Sequence, residues 1–224
     1  MTGVQTCALP ICLIWGVQQV IIKWAAPDIA PIMQAAGRSG IAALLVGILM
    51  VWRGGLRHMS STWRGGLLAG ALFALEFLFI SEGLQLTSAA HMSVFLYTAP
   101  VFTALGLHWL LPSERLRTLQ WMGIFLAFAG ITTAFVGGLS LSGMDRNMLI
   151  GDALGVLAGM AWGATTVVVR ASRLSEAPVT LTLFYQLMVG FVALLLIAVS
   201  NGQVSHVTLT PVAVASVLFQ ALVV

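Results

Sequence analysis

The 224-residue chain is 59% hydrophobic and 8% charged, with a formal net charge of +3 and a mean hydropathy of +1.02. An ordinary soluble domain carries about 25% charged residues and cannot bury this much apolar surface in one core, so a water-soluble fold is excluded. Residues 83–113, 118–144 and 177–224 contain no Asp, Glu, Lys or Arg, and about 20 such residues suffice to cross a bilayer. The expected class is an all-α integral membrane protein surrounded by lipid. The small positive charge sits between the apolar runs and gives no reason to expect nucleic acid as a partner.

Residues 2–11, TGVQTCALPI, read as the translation of a common short-read sequencing adapter. A signal peptide would have a basic stretch ahead of an apolar run that ends in small residues, and neither is present. Residues 1–11 are therefore expected not to belong to the natural protein. Cys7 and Cys12, inside and beside that segment, carry no disulfide information. At the other end the chain stops at Val224 inside an apolar run, so a fragment is expected.

Seven spans and the start of an eighth follow in order. The first covers about 12–26 and ends at Pro27-Asp28, since proline cannot continue the hydrogen-bond ladder. The second covers 31–52 and the third 65–83. The fourth, 88–111, starts at the N-cap candidate Ser88 and holds Pro100 within it. The fifth, sixth and seventh cover 119–135, 149–170 and 178–199, and the eighth begins near Pro211.

Basic residues between the spans give the orientation. Arg53, Arg57, Arg64, Arg115, Arg117, Arg170 and Arg173 fall on one side, against Lys23 and Arg146 on the other. Excess Lys and Arg mark the cytoplasmic side, so the segments 53–64, 112–118 and 170–177 are expected to be cytoplasmic.

An offset of 147 residues superposes Trp15-Gly16 on Trp162-Gly163, Val20 on Val167, Lys23 on Arg170 and Ala30-Pro31 on Ala177-Pro178. The second copy starts five spans after the first, an odd number, so it enters the bilayer upside down. Inverted repeats of this kind belong to secondary transporters, which hold substrate near the midplane between the halves.

The Trp-Gly first span with its trailing cation and the arginine early in the second (Gln34-Ala35-Ala36-Gly37-Arg38) resemble the EamA domain of the drug/metabolite transporter superfamily. So do TSAAHMSVFLYTAPVFTALG at 87–106, SERL at 113–116 and WMGIFLAFAGI at 121–131. The resemblance implies a ten-helix transporter of two inverted five-helix repeats. Residues 12–138 would form the first EamA repeat and 149–224 a truncated second.

Glu76 lies in the middle of the third span, among Leu72, Phe73, Phe79 and Ile80. A charge at that depth costs at least about 2.5–3.5 kcal/mol on insertion scales, so it should face a cavity or a partner. It is either a protonatable or ammonium-binding carboxylate, or the structural partner of Arg38. Arg38 itself either clamps a substrate carboxylate or neutralises Glu76. Ser93, Tyr97 and Pro100 share a face of the fourth span with His91 close by, and a mid-span proline frees a backbone carbonyl there. Trp15, Trp162, Gln34, Tyr185 and Gln186 are candidates for an aromatic and amide lining. Lys23 and Arg170 read as end-of-helix cations that snorkel to the interface. Gly151, Gly155, Gly159 and Gly163, and less regularly Gly123, Ala127, Gly130 and Ala134, recur at a spacing that lets helices approach closely.

Enzyme readings find no footing. HExxH, G-x-S-x-G and P-loop motifs are absent, and His58, His91, His108 and His206 are scattered. No cofactor or metal is implied. The expected function is secondary transport of a small organic metabolite, amino-acid-like and outward, across a bacterial inner membrane. A proton or another ion is the possible coupling partner. An uptake permease of the same superfamily and a non-transporting scaffold or sensor are the alternatives.

Overall fold

The computed structural model describes residues 3–52, 59–138 and 146–224. Arg53, Arg57, His58 and Ser142 lie outside them. Among the described residues there are nine α-helices and no strand. They are α1 (Gly3–Ala25), α2 (Pro31–Trp52), α3 (Met59–Leu86), α4 (Ala89–Leu96), α5 (Ala99–Leu110), α6 (Thr118–Gly138), α7 (Arg146–Ala171), α8 (Val179–Ser200) and α9 (Pro211–Leu222). Five stretches are long and apolar enough to cross a membrane: α2, α3, α4 with α5, α7 and α8. Large apolar side chains such as Leu44, Trp52, Leu126 and Leu196 point outward, more than half exposed, as a lipid-facing surface requires.

Proline and hydroxyl residues set the helix limits. Pro31 and Pro211 open α2 and α9, where a missing N–H costs no hydrogen bond. Thr210 and Ser88 cap α9 and α4 by accepting from the Ala213 and His91 amides. α3 is longer than expected at both ends, and at the first of them the Tyr185 hydroxyl donates to Met59 O at 3.0 Å and fastens the first turn.

The expected single span 88–111 is two helices. Pro100 has no N–H for Leu96 O, and the chain breaks at Tyr97-Thr98, where Thr98 Oγ1 donates to Phe95 O at 2.6 Å. The broken turn lies on α7, whose glycines leave room for backbone. A Cβ on Gly159 would stand 3.0 Å from Phe95 O, and one on Gly163 3.0 Å from Ala99 O. Gly151 and Gly155 are equally tight, against Thr87 and the Phe95 side chain.

Among the described residues nothing lies within 4 Å of where the Cβ atoms of Gly123 and Gly130 would be, so no close helix approach is seen there. α6 is nearly all exposed along its described length, and its ring contact to the bundle is Trp121 against His108, with centroids 5.5 Å apart.

α3 is the central helix, packed on α7 and α8, and α2 lies along α8. The main core joins Ile22, Ile32, Ile80, Leu84 and Met92 to Leu194 and Ala198. It fills the half of the bundle toward the arginine-poor end. The other half holds a cavity.

Candidate functional site

The cavity has a volume of about 780 Å³ and is walled by α1, α2, α3, α4, α7, α8 and α9. Seven of the expected residues line it: Trp15, Arg38, Glu76, Ser93, Tyr97, Trp162 and Gln186. Trp15 and Trp162, equivalent positions of the repeat, meet edge to face with centroids 5.0 Å apart. An edge-to-face pair is the favoured aromatic geometry.

Arg38 and Glu76 are both buried, at 7% exposure each, on facing helices. They do not form an ion pair. Among the described residues the carboxylate contacts to a basic side chain within 4.0 Å are those of Asp152 with His91 and of Glu114 with Arg170. The Arg38 guanidinium instead lies over the Phe77 ring, 3.9 Å from its centroid, with Phe73 at 5.9 Å. This is a cation–π contact in a dehydrated setting. The expected structural pairing of Arg38 with Glu76 is thus not a contact. One carboxyl group and one guanidinium line a common space without an ion pair between them.

The other four expected residues lie outside the cavity wall. Pro100 is exposed in the first turn of α5, where its effect is the helix break itself. Tyr185 points away, its ring against Gly66 and its hydroxyl on Met59 O. Its neighbour Gln186, about 100° further round α8, faces the cavity instead. Gln34 is fully buried, with Nε2 donating to Ile22 O at 3.0 Å and to Ile29 O at 2.9 Å.

His91 belongs to a separate polar cluster at the arginine-poor end. Its Nδ1 stands 3.1 and 3.2 Å from the two Asp152 carboxylate oxygens. Thr87 Oγ1 donates to Asp152 Oδ1 at 2.6 Å, and Lys23 Nζ donates to Thr87 O. Lys23 therefore ties α1 to the turn between α3 and α4, where snorkelling was expected. Arg170, its repeat equivalent, likewise holds Glu114 and lines the cavity mouth. The cluster joins α1, the 87–88 turn and α7, and none of its members lines the cavity. The cavity wall runs from Ile80 and Ser93 at mid-bundle to Val169 and Arg170 at the arginine-rich end. It lies clear of the Lys23–Asp152 cluster, and its wall also takes in the exposed side chains of Leu45, Leu183 and Leu222.

Gln18, Gln19, Thr182 and Gln220 also line the cavity and were missed in the sequence. The adjacent glutamines of the first span were a usable signal, since two amides inside an apolar helix demand partners. Among the described residues no group of three or more His, Cys, Asp or Glu could hold a metal ion.

The sequence profile of the EamA-like transporter family matches residues 4–136, more than half of the chain. The chain belongs to the EamA-like transporter family. This EamA-like chain is 29% identical over 209 residues to an uncharacterized transporter of Archaeoglobus fulgidus, covering 92% of this chain and 71% of the relative. It is 26% identical over 224 residues to the uncharacterized transporter YoaV of Bacillus subtilis, covering 99% and 75%. The uncharacterized transporter sll0355 of Synechocystis is 28% identical over 211 residues, covering 85% and 62%. No solved structure matches it. The protein is a multi-pass membrane transporter.

In this EamA-like transporter Asp152 is 8% exposed and holds both Thr87 and His91. Replacing it by alanine leaves the Thr87 hydroxyl without its acceptor, at a cost of about 1–3 kcal/mol. Asp152→Ala should lower the melting temperature of the purified protein by a few degrees, read by intrinsic tryptophan fluorescence. An unchanged midpoint would show that the cluster contributes nothing.

Proposed function

We propose that this transporter exports a small amino-acid-like metabolite across a bacterial inner membrane by alternating access between two inverted repeats. The observation that carries the reading is the coexistence, in one cavity, of Glu76 and Arg38 without an ion pair between them. A solute bearing both an ammonium and a carboxylate supplies a partner to each, and the Trp15, Trp162 and Tyr97 rings supply apolar walls. Excess arginine marks the cytoplasmic face, so a cavity whose wall includes Arg170 and none of the Lys23, Thr87, His91 and Asp152 cluster supports loading from the cytoplasm. The meeting of the repeat-equivalent Trp15 and Trp162 supports an axis between the halves. Glu76 is the proposed site of a coupling proton.

Expression of the intact gene in a sensitive host should raise tolerance to toxic amino-acid analogues and lower their accumulation in cells. Unchanged tolerance and accumulation across the panel would refute the reading. Orientation has its own test. Ser60 is exposed in the first turn of α3, at the arginine-rich end. A cysteine there should resist an impermeant maleimide in intact cells and react after lysis, whereas one at Ser142 should react in intact cells. Labelling of Ser60→Cys from outside would reverse the topology.

A further inference from the structure

Four polar residues meet at the arginine-poor end of the bundle without lining the cavity. Asp152, in the second turn of α7, accepts from Thr87 Oγ1 at 2.6 Å and lies 3.1 Å from His91 Nδ1, while Lys23 of α1 donates to Thr87 O. On each helix the cluster stands further out than the cavity wall. Lys23 lies about 6 Å beyond Gln19 along α1, Thr87 about 10 Å beyond Ile80 at the end of α3, and Asp152 about 15 Å beyond Trp162 along α7. The backbones approach closely there. A Cβ on Gly151 would stand 2.9 Å from Thr87 N, and one on Gly83 3.2 Å from Gly151 O. α7 therefore lies directly on the turn between α3 and α4.

The repeat puts an equivalent cation at the opposite end. Arg170, which the 147-residue offset places on Lys23, pairs with Glu114 just beyond α5. Equivalent cations thus grip the two ends of the broken α4–α5 pair, at Thr87 before it and at Glu114 after it. The grips are unequal. The Arg170 and Glu114 side chains are 56% and 31% exposed, so water screens their attraction, whereas Asp152 is only 8% exposed and its contacts are shielded. Apolar contacts are non-directional and let helices tilt against one another, but a hydrogen bond holds only within a narrow distance and angle. The polar cluster is therefore what fixes the closed position of α1, α4 and α7 at this end. Once water enters, its members exchange their bonds for bonds to water, and the net loss on parting is small.

We propose that Lys23, Thr87, His91 and Asp152 form a latch that holds the arginine-poor end of the transporter closed and must part for the cavity to open on that side. The latch rests on the alternating-access reading above and adds the device that controls one of its two states. Weakening it shifts the population toward the state open at the arginine-poor end, without touching any residue of the cavity wall.

The test is labelling of a cavity cysteine from outside. The full-length transporter carries Ser93→Cys as its sole cysteine, and intact cells are treated with an impermeant thiosulfonate. Added Asp152→Ala or Lys23→Met should each raise the labelling rate about tenfold, the effect of one hydrogen bond to a charged group on the open population. Tyr185→Phe removes the bond to Met59 O at the other end of the bundle and should leave the rate unchanged, which separates a latch from general loosening. If Asp152→Ala does not fold, Lys23→Met decides alone. Unchanged labelling in the folded latch variants, or an equal rise in Tyr185→Phe, overturns the latch and leaves the export reading standing. Failure of the export reading shows elsewhere, as wild-type expression that alters neither tolerance nor accumulation, and a selective rise in labelling would then still establish the latch.

Discussion

Glu76→Gln is expected to reach the membrane at near-normal abundance and to lose at least about tenfold in transport rate. The reason for the first half is geometric. Had Glu76 been the direct partner of Arg38, removing its charge would strand a buried cation at a cost of about 3–5 kcal/mol and deplete the protein. Arg38 is instead held over the Phe77 ring at 3.9 Å, and no ion pair joins it to Glu76. Glutamine preserves the volume of the side chain in the wall between Phe73 and Ile80. The second half follows from chemistry. A neutral amide neither binds an ammonium by charge nor takes up a proton, so a substrate-binding or coupling carboxylate cannot be replaced by it, and loss of one charged hydrogen bond alone accounts for a factor of about ten. Membrane abundance and proteoliposome uptake, measured on the same preparation, separate the outcomes. Severalfold less protein would return Glu76 to a structural role, and undiminished transport would remove it from the site.

Gly163→Leu should abolish accumulation of folded protein, whereas Gly123→Leu should leave it unchanged. A Cβ on Gly163 would lie 2.8 Å from Phe102 Cβ, 3.0 Å from Ala99 O and 3.0 Å from Thr103 N. Two of those neighbours are backbone atoms of α5, which cannot swing aside as a long side chain can. Forcing extra carbons into a packed interface costs typically about 1–3 kcal/mol even where the neighbours yield, and leucine adds three more beyond Cβ. Here α5 must leave α7, taking the cavity wall at Ser93 and Tyr97 with it. Among the described residues Gly123 meets nothing within 4 Å, so the same substitution there only enlarges an outward surface. Size-exclusion profiles of the two variants provide the measurement. Equal monodisperse yields would show that the α5–α7 approach is not what holds these helices together.

The sequence by itself determined the class and much of the architecture. Long stretches without charge can hide their backbone polar groups only as membrane helices, and Pro27, Pro31, Pro178 and Pro211 mark limits that the helices obey to within a residue or two. Glu76 and Arg38 were legible for the same reason, since an ionised group inside an apolar helix has few roles open to it. What the sequence could not decide was the partner of each polar group, because that depends on helices far apart in the chain. Only the tertiary structure showed that Arg38 prefers the Phe77 ring, that His91 leaves the cavity to hold Asp152, 61 residues away, and that Gln34 bonds Gln220 from 186 residues upstream. Spacing showed that Tyr185 and Gln186 both lie on α8, and the rotation of that helix against α3 decided that only Gln186 faces the cavity. The same holds for the two glycine series. Their periodicity is similar, but α4 and α5 pack on one, and the other looks outward among the described residues. A helix carries its pattern in its sequence, while the face it presents is set by the helices that surround it.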